Sequence, residues 1–219
     1  MNSLRTSFLA TAYYKLLHRW LFPRLSAWGI TPNQLTWIGA FVSIFVPVGF
    51  WAHPLWGFFL MLMSAVIDSV DGSMARQRHK TSQWGAFLDS TLDRVSDLFY
   101  LIGFWVIFYQ STNSIVATLG IFIAILLTFL ISYSKARAEA LGYSCPVGLM
   151  ERSARVTALL IWTLALVMLP AHHMIILWLG LLLYNTLTLT TAIQRGVYTM
   201  RQMANQPSNG FNCSKSQHI

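Results

Sequence analysis

Long apolar runs separated by short polar connections dominate the chain. Residues 34–52 carry no charge and supply roughly the 20 residues a membrane-crossing helix needs. His53 and Pro54 turn the chain, and a second run, 55–70, ends in acidic residues. The link 77–83 is polar and carries Arg78, His79 and Lys80. A third helix is predicted over 84–109, with Asp89, Asp93, Arg94 and Asp97 in its first turns. An uncharged turn at 110–114 leads to a fourth helix, which starts at Ile115 and runs on into Ser132 to Glu139. The loop 140–150 contains Gly142, Pro146 and Gly148, a fifth helix covers 151–169, and a sixth follows the Pro170–His173 turn over 174–194. The pattern predicts an all-α, polytopic membrane protein with six transmembrane helices in residues 31–196.

Two flanking segments differ. In residues 1–30, Leu9, Tyr13, Leu16, Leu17, Trp20 and Leu21 recur at helical spacing, with Lys15, His18 and Arg19 between them. The alternation suits an N-terminal amphipathic helix lying in the membrane interface, and equally one packed on the bundle. Lys15 and Arg19 interrupt any apolar core, so no cleavable signal is expected. The Gly29–Asn33 stretch is a turn in which Thr31 or Asn33 can cap the next helix. Residues 197–219 are polar and read as a flexible cytoplasmic tail.

Charge adds orientation to this count. Only 10% of residues are charged, against about 25% in soluble domains, so the net charge of +8 does not point to nucleic acid. With six spans every Lys and Arg falls at one end of the bundle, and the opposite turns, near His53, Ser111 and His172, hold none. The positive-inside rule then puts both termini and all charged connections in the cytoplasm, in a multi-pass protein of the cell membrane. Cys145 and Cys213 lie far apart in polar segments and read as free thiols.

The acidic residues sit at the same end. Asp68 and Asp71 are spaced i, i+3 and Asp89 and Asp93 i, i+4, so each pair shares a helix face. Carboxylates massed in so apolar a chain need cations or protons. Helix-end salt bridges with Arg76, Arg78 and Arg94, a cation or proton pathway, and a metal site for a phosphorylated substrate are the competing explanations. Oxygen-only ligands select Mg²⁺ or Mn²⁺ over zinc, and four carboxylates can hold two such ions. Gly72 allows close approach to the backbone and Arg76 offers a guanidinium fork to phosphate.

The stretch has the form D-x2-D-G-x2-A-R-x8-G-x3-D-x3-D, filled by Asp68, Asp71, Gly72, Ala75, Arg76, Gly85, Asp89 and Asp93. It resembles the signature of the CDP-alcohol phosphotransferase family, and the resemblance spans roughly residues 27–195. It implies a membrane enzyme in which an alcohol attacks the lipid-side phosphorus of CDP-diacylglycerol and CMP leaves. It further implies that Asp68, Asp71 and Asp89 hold two metal ions, with Asp93 partly shared and also the general base. Gly72, Arg76 and Ser82 match positions that contact the CDP moiety, and Thr31, Pro32, Asn33 and Gln34 resemble the nucleotide-side loop. A homodimer is implied as well. Asp97 has no place in the signature and is expected to pair with a nearby cation.

Lys135, Arg137, Arg152, Arg155 and Arg195 come from the charged ends of the last three predicted helices, balanced only by Glu139 and Glu151. Positive-inside flanking accounts for some of them. The excess suggests a further anion, most simply a phosphate on the acceptor. The pattern S-Y-S-K-A-R-A-E followed by E-R-S-A-R resembles the phosphatidylinositol-phosphate synthase branch. By that match Lys135, Arg155 and Arg195 bind the phosphate of inositol phosphate, with Arg137 and Arg152 assisting. Phosphatidylglycerophosphate synthase, using glycerol 3-phosphate, is the neighbouring alternative. A carboxylate-bearing ion transporter would need polar groups through the bilayer, where these runs are uncharged. Intramembrane prenyltransferases lack the glycine–arginine arrangement between the two pairs.

Overall fold

A computed structural model of the chain describes residues 31–77, 82–112 and 114–205, apart from the side chains of 75–77. The expected interfacial helix in 1–30, the cations Arg78, His79 and Lys80, and the final residues 206–219 lie outside the described residues. Within them the structure is helical: α1 (Pro32–Ile44), α2 (Val46–Ala52), α3 (Pro54–Gln77), α4 (Gln83–Ser111), α5 (Ile115–Ala140), α6 (Arg152–Met168), a 3₁₀ turn (Pro170–His172) and α7 (His173–Asn205). Four stretches are long and apolar enough to cross a membrane: Pro32–Ala52, Pro54–Met74, Ile115–Ala140 and Pro170–Asn205.

Local chemistry explains where these helices start and stop. Thr31 accepts from the Gln34 backbone N–H while Gln34 Oε1 accepts from the Thr31 N–H at 2.8 Å, a reciprocal cap with Pro32 just inside. Residues 34–52, expected as one helix, divide at Phe45. Pro47 lacks the N–H that would continue the ladder, so α2 starts afresh. The last helix passes Gly196, where the sequence predicts the tail, and ends nine residues later at Asn205. One glycine costs a helix only about 1 kcal/mol relative to alanine. Beyond it, Gln202 Nε2 donates to the Ser144 carbonyl at 3.0 Å and Thr199 approaches Cys145 Sγ, so packing on the 141–151 loop sustains the helix.

Two packing units build the bundle. In the first, α1 lies along α3, while α4 crosses both α1 and α2. Phe50 of α2 is fully buried where Gly57 of α3 and Gly103 of α4 leave room for its ring; a Cβ on Gly57 would lie 2.2 Å from the ring and one on Gly103 2.3 Å. Gly103→Ala should therefore overpack this junction and cost about 1–3 kcal/mol. Thermal unfolding in detergent reads that loss, and an unchanged midpoint would show that the ring moves freely. In the second unit α5 lies along α7, joined by Thr128–Tyr184 (3.0 Å) and by Asn185 donating to the Gly120 carbonyl (3.2 Å).

Trp162 of α6 fastens the two units. It stacks on Phe104 of α4 with centroids 4.0 Å apart, and its indole N–H donates to the Ile176 carbonyl of α7 at 3.0 Å. A polar chain, Tyr100 Oη to Ser64 Oγ (2.8 Å) to the Gly39 carbonyl (2.7 Å), ties α4, α3 and α1 together. Ser64 is one turn before Asp68, so the rigid pin sits next to the acidic residues.

Candidate active site

Asp68 and Asp71 project from the last turns of α3, and Asp89, Asp93 and Asp97 from the first turns of α4. One carboxylate oxygen from each of Asp68, Asp71 and Asp89 lies within 4.8 Å of the others. The i, i+3 and i, i+4 spacings put them on facing sides of two helices whose polar ends meet. Asp71 is 2% exposed. The Thr36 hydroxyl and the Gly72 backbone N–H lie beside it, but the Thr36 hydroxyl donates to the Pro32 carbonyl at 3.1 Å, and neither Asp71 oxygen has a hydrogen bond of normal geometry. A buried carboxylate so poorly supplied with donors calls for a cation. Three converging carboxylates fit a hard divalent ion, Mg²⁺ or Mn²⁺, better than they fit one another.

Asp93 stands apart from that trio. Its Oδ1 is 2.9 Å from Arg152 Nη2, and Arg152 Nη1 also donates to Asp68 Oδ2. Arg152, expected beside the acceptor phosphate, thus bridges two carboxylates. A planar guanidinium presents two parallel nitrogens, one to each carboxylate. Asp97 pairs with a cation as expected: Arg155 Nη2 reaches its Oδ2 at 2.6 Å, with both side chains nearly inaccessible.

A cavity of about 450 Å³ opens beside Asp93. Lys135, Arg152, Arg155 and Arg195 line it with Asp93, Arg94, Glu139 and Glu151. Lys135 is held 3.9 Å from Glu139, one turn on, with its side chain half-exposed. Arg195 is 4% exposed and donates to the Val147 carbonyl (2.9 Å) and the Ile131 carbonyl (2.7 Å). Gly148 makes room for it. Its φ of +126° suits glycine alone, and a Cβ there would lie 3.0 Å from Arg195 Nε. Arg137 is exposed and absent from the cavity wall, so four of the five expected cations come together.

Of the residues expected around a nucleotide, Asn33 and Ser82 lie close together, both beside Gly85. Ser82 caps α4 by accepting from the Gly85 N–H at 2.9 Å, and the open side of Gly85 faces Asn33 Oδ1. The starts of α1, with Thr31, Pro32, Asn33 and Gln34, and of α4 are therefore adjacent. Gly72 follows Asp71 on α3, half-buried. The Arg76 side chain lies outside the described residues. Ser90, Ser132 and Ser153 line the cavity without having been singled out from the sequence. Ser90 and Ser132 each precede a singled-out residue, Asp93 and Lys135, by three positions, one helical turn, which was the available signal.

Comparison with known proteins gives concordant matches. The family model described as CDP-alcohol phosphatidyltransferase matches residues 29–186. Archaetidylinositol phosphate synthase of Methanothermobacter thermautotrophicus is 30% identical over 192 residues, 86% of this chain and 92% of that protein. Phosphatidylinositol phosphate synthase of Streptomyces avermitilis is 38% identical over 141 residues, 61% of this chain and 56% of that protein. The crystal structure of Mycobacterium tuberculosis phosphatidylinositol phosphate synthase with CDP-DAG bound is similar with a TM-score of 0.70 at 28% identity, covering 81% of this chain and 90% of that one. The same enzyme in complex with manganese and citrate gives 0.69 at 26% identity, covering 81% and 86%.

Proposed function

This chain belongs to the CDP-alcohol phosphatidyltransferase family, transferases of phospholipid biosynthesis, and from that premise we propose that it transfers the phosphatidyl group of CDP-diacylglycerol to inositol phosphate. The observation that carries the acceptor is the cavity in which Asp93 shares walls with Lys135, Arg155 and Arg195. An acceptor bearing a phosphate satisfies those cations while offering a hydroxyl to the carboxylate. The relatives named as inositol phosphate lipid synthases support inositol phosphate over glycerol 3-phosphate.

Asp68, Asp71 and Asp89 would hold two divalent ions, Mg²⁺ or Mn²⁺, with Asp93 shared between them and the acceptor. When bound, the ions neutralise charge on the diphosphate. Asp93 takes the proton of the acceptor hydroxyl, and that oxygen bonds to the lipid-side phosphorus. The bond from this phosphorus to the bridging oxygen breaks, and CMP leaves with the oxygen and its electron pair. Lys135, Arg155 and Arg195 bind the acceptor phosphate. Arg152 assists from the boundary of the two half-sites, and Arg137 contributes long-range positive charge. Thr31, Pro32, Asn33, Gln34, Gly72, Arg76 and Ser82 would form the nucleotide side, where two helix starts offer backbone N–H groups to phosphate oxygens.

The enzyme sits in the cell membrane with six spans, α4 and α6 completing the four apolar stretches, and its charged ends face the cytoplasm, where both substrates' polar parts are accessible. It works as a homodimer. Full-length protein in detergent, given Mg²⁺ or Mn²⁺ and CDP-diacylglycerol, should release CMP with inositol 1-phosphate and much more slowly with free inositol or serine. Equal rates with phosphorylated and unphosphorylated inositol would overturn the phosphate reading. A preference for glycerol 3-phosphate would move the chain to the neighbouring branch.

A further inference from the structure

Three carboxylates of α4 follow one another at i, i+4 and i+8: Asp89 in the acidic trio, Asp93 at the cavity and Asp97 below it. The third is buried. Its Oδ2 accepts from Arg155 Nη2 at 2.6 Å, across from α4 to α6. The Met150 carbonyl accepts from Arg155 Nη1 at 3.1 Å. Two anchors from different elements fix the plane of the guanidinium, and they leave its Nε buried without a protein partner. Arg155 nevertheless lines the cavity at 3% exposure.

Burying such a pair is a poor way to gain stability. Desolvating both ions offsets most of their attraction, and apolar residues of like volume serve as well or better. Here Asp97 Oδ1 and Arg155 Nε are both left unsatisfied, which makes the pair costlier still. What the pair does supply is register. Asp97 is one helical turn from Asp93, about 6 Å along the axis. A rigid α4 therefore sets the spacing between the carboxylate that faces the acceptor hydroxyl and the guanidinium that faces its phosphate.

We propose that Asp97 is a positioning residue for the acceptor: by clamping Arg155 in a fixed plane one turn from Asp93, it sets how a phosphorylated alcohol lies in the cavity. The inference rests on the reading of Arg155 as a phosphate ligand. Without the clamp, Arg155 can turn toward the nearest carboxylate, and the acceptor phosphate loses a preorganised partner.

A double-mutant cycle with full-length enzyme tests the assignment, reading KM for inositol 1-phosphate, KM for CDP-diacylglycerol and kcat separately. Asp97→Asn keeps an oxygen for Arg155 Nη2 but removes the charge. It should raise the acceptor KM about ten-fold or more, one such factor being about 1.4 kcal/mol, and move the CDP-diacylglycerol KM and kcat by less than about three-fold. A merely structural role would lower the amount of active enzyme and leave both KM values where they were, which would overturn the proposal. In an Arg155→Ala background, Asp97→Asn should add nothing further to the acceptor KM; independent, multiplying effects would likewise overturn it. If Arg155→Ala alone leaves the acceptor KM unchanged, the phosphate reading of the cavity fails. If Arg155→Ala raises it and Asp97→Asn does not, only the positioning role fails. Should Asp97→Asn not fold, Asp97→Glu retains the charge and displaces it by one methylene, and the same split in KM is read from it.

Discussion

Asp93→Asn should reduce CMP release by about 10²–10⁴-fold, the usual worth of a positioned general base. The substitution is nearly isosteric, and its amide oxygen can still face Arg152, which lies 2.9 Å from Asp93 in the wild type. What disappears is the capacity to take a proton from the acceptor hydroxyl. The loss should fall on kcat, with the KM for CDP-diacylglycerol changed only a few-fold, because Asp93, although shared with the ions in the proposed site, stands outside the trio of Asp68, Asp71 and Asp89. Binding of Mn²⁺, followed by paramagnetic resonance, should weaken but persist. Turnover within ten-fold of wild type would remove Asp93 from the base role and direct attention to Asp89.

Asp71→Asn should have effects of opposite sign on activity and on metal-free stability. Both of its oxygens are buried and lack hydrogen bonds of normal geometry. With a divalent ion present the carboxylate is matched; without one it is an uncompensated charge or a trapped proton, and either is destabilising. The neutral amide relieves that burden, so the variant stripped by EDTA should unfold at a higher temperature than stripped wild type. Its affinity for Mn²⁺ should fall by more than the roughly 10–100-fold that loss of a supporting hydrogen bond costs a metal site. Wild-type protein at 100 times its dissociation constant gains about 2.7 kcal/mol from the ion, a gain the variant should not show under the same conditions. Activity should drop to background. Unfolding curves of the two proteins, with EDTA and with Mn²⁺, should therefore cross. A variant less stable than wild type in EDTA would mean that Asp71 makes a contact essential to the fold.

The acidic half of the site was legible because its geometry is local. Spacings of three and four residues put Asp68 with Asp71 and Asp89 with Asp93 on shared helix faces, and the meeting of the polar ends of α3 and α4 brings Asp68, Asp71 and Asp89 together. The pairing of Asp97 was foreseeable for a related reason, since a carboxylate deep in an apolar helix needs a cation. The basic half depends on contacts that no spacing encodes. Arg155 is oriented by the Met150 carbonyl and Arg195 by that of Val147, loop groups whose positions follow from how 141–151 folds over α7, and Arg195 also by the Ile131 carbonyl of α5. Arg137 has the same sequence credentials as Lys135, but two residues further along a helix is a rotation of about 200°, to the opposite face, and it is exposed. The break at Phe45 was readable from Pro47, yet an uncharged run of span length hid it. The continuation of α7 past Gly196 was not readable, because a polar sequence stays helical there by docking on a distant loop.

That docking also orders events in time. The loop is held by Thr191, Arg195, Thr199 and Gln202, all from α7. A ribosome adding about 5–20 residues per second delivers Arg195 roughly 5–20 s after Asp93. During that interval the nascent chain carries its acidic cluster but has no wall against which an acceptor can rest. Arg195 of α7 is part of the cavity wall, so on the proposed mechanism a chain cut short before α7, or one in which α7 fails to insert, should lose transfer. Translation through α7 thus becomes a condition of the proposed catalysis.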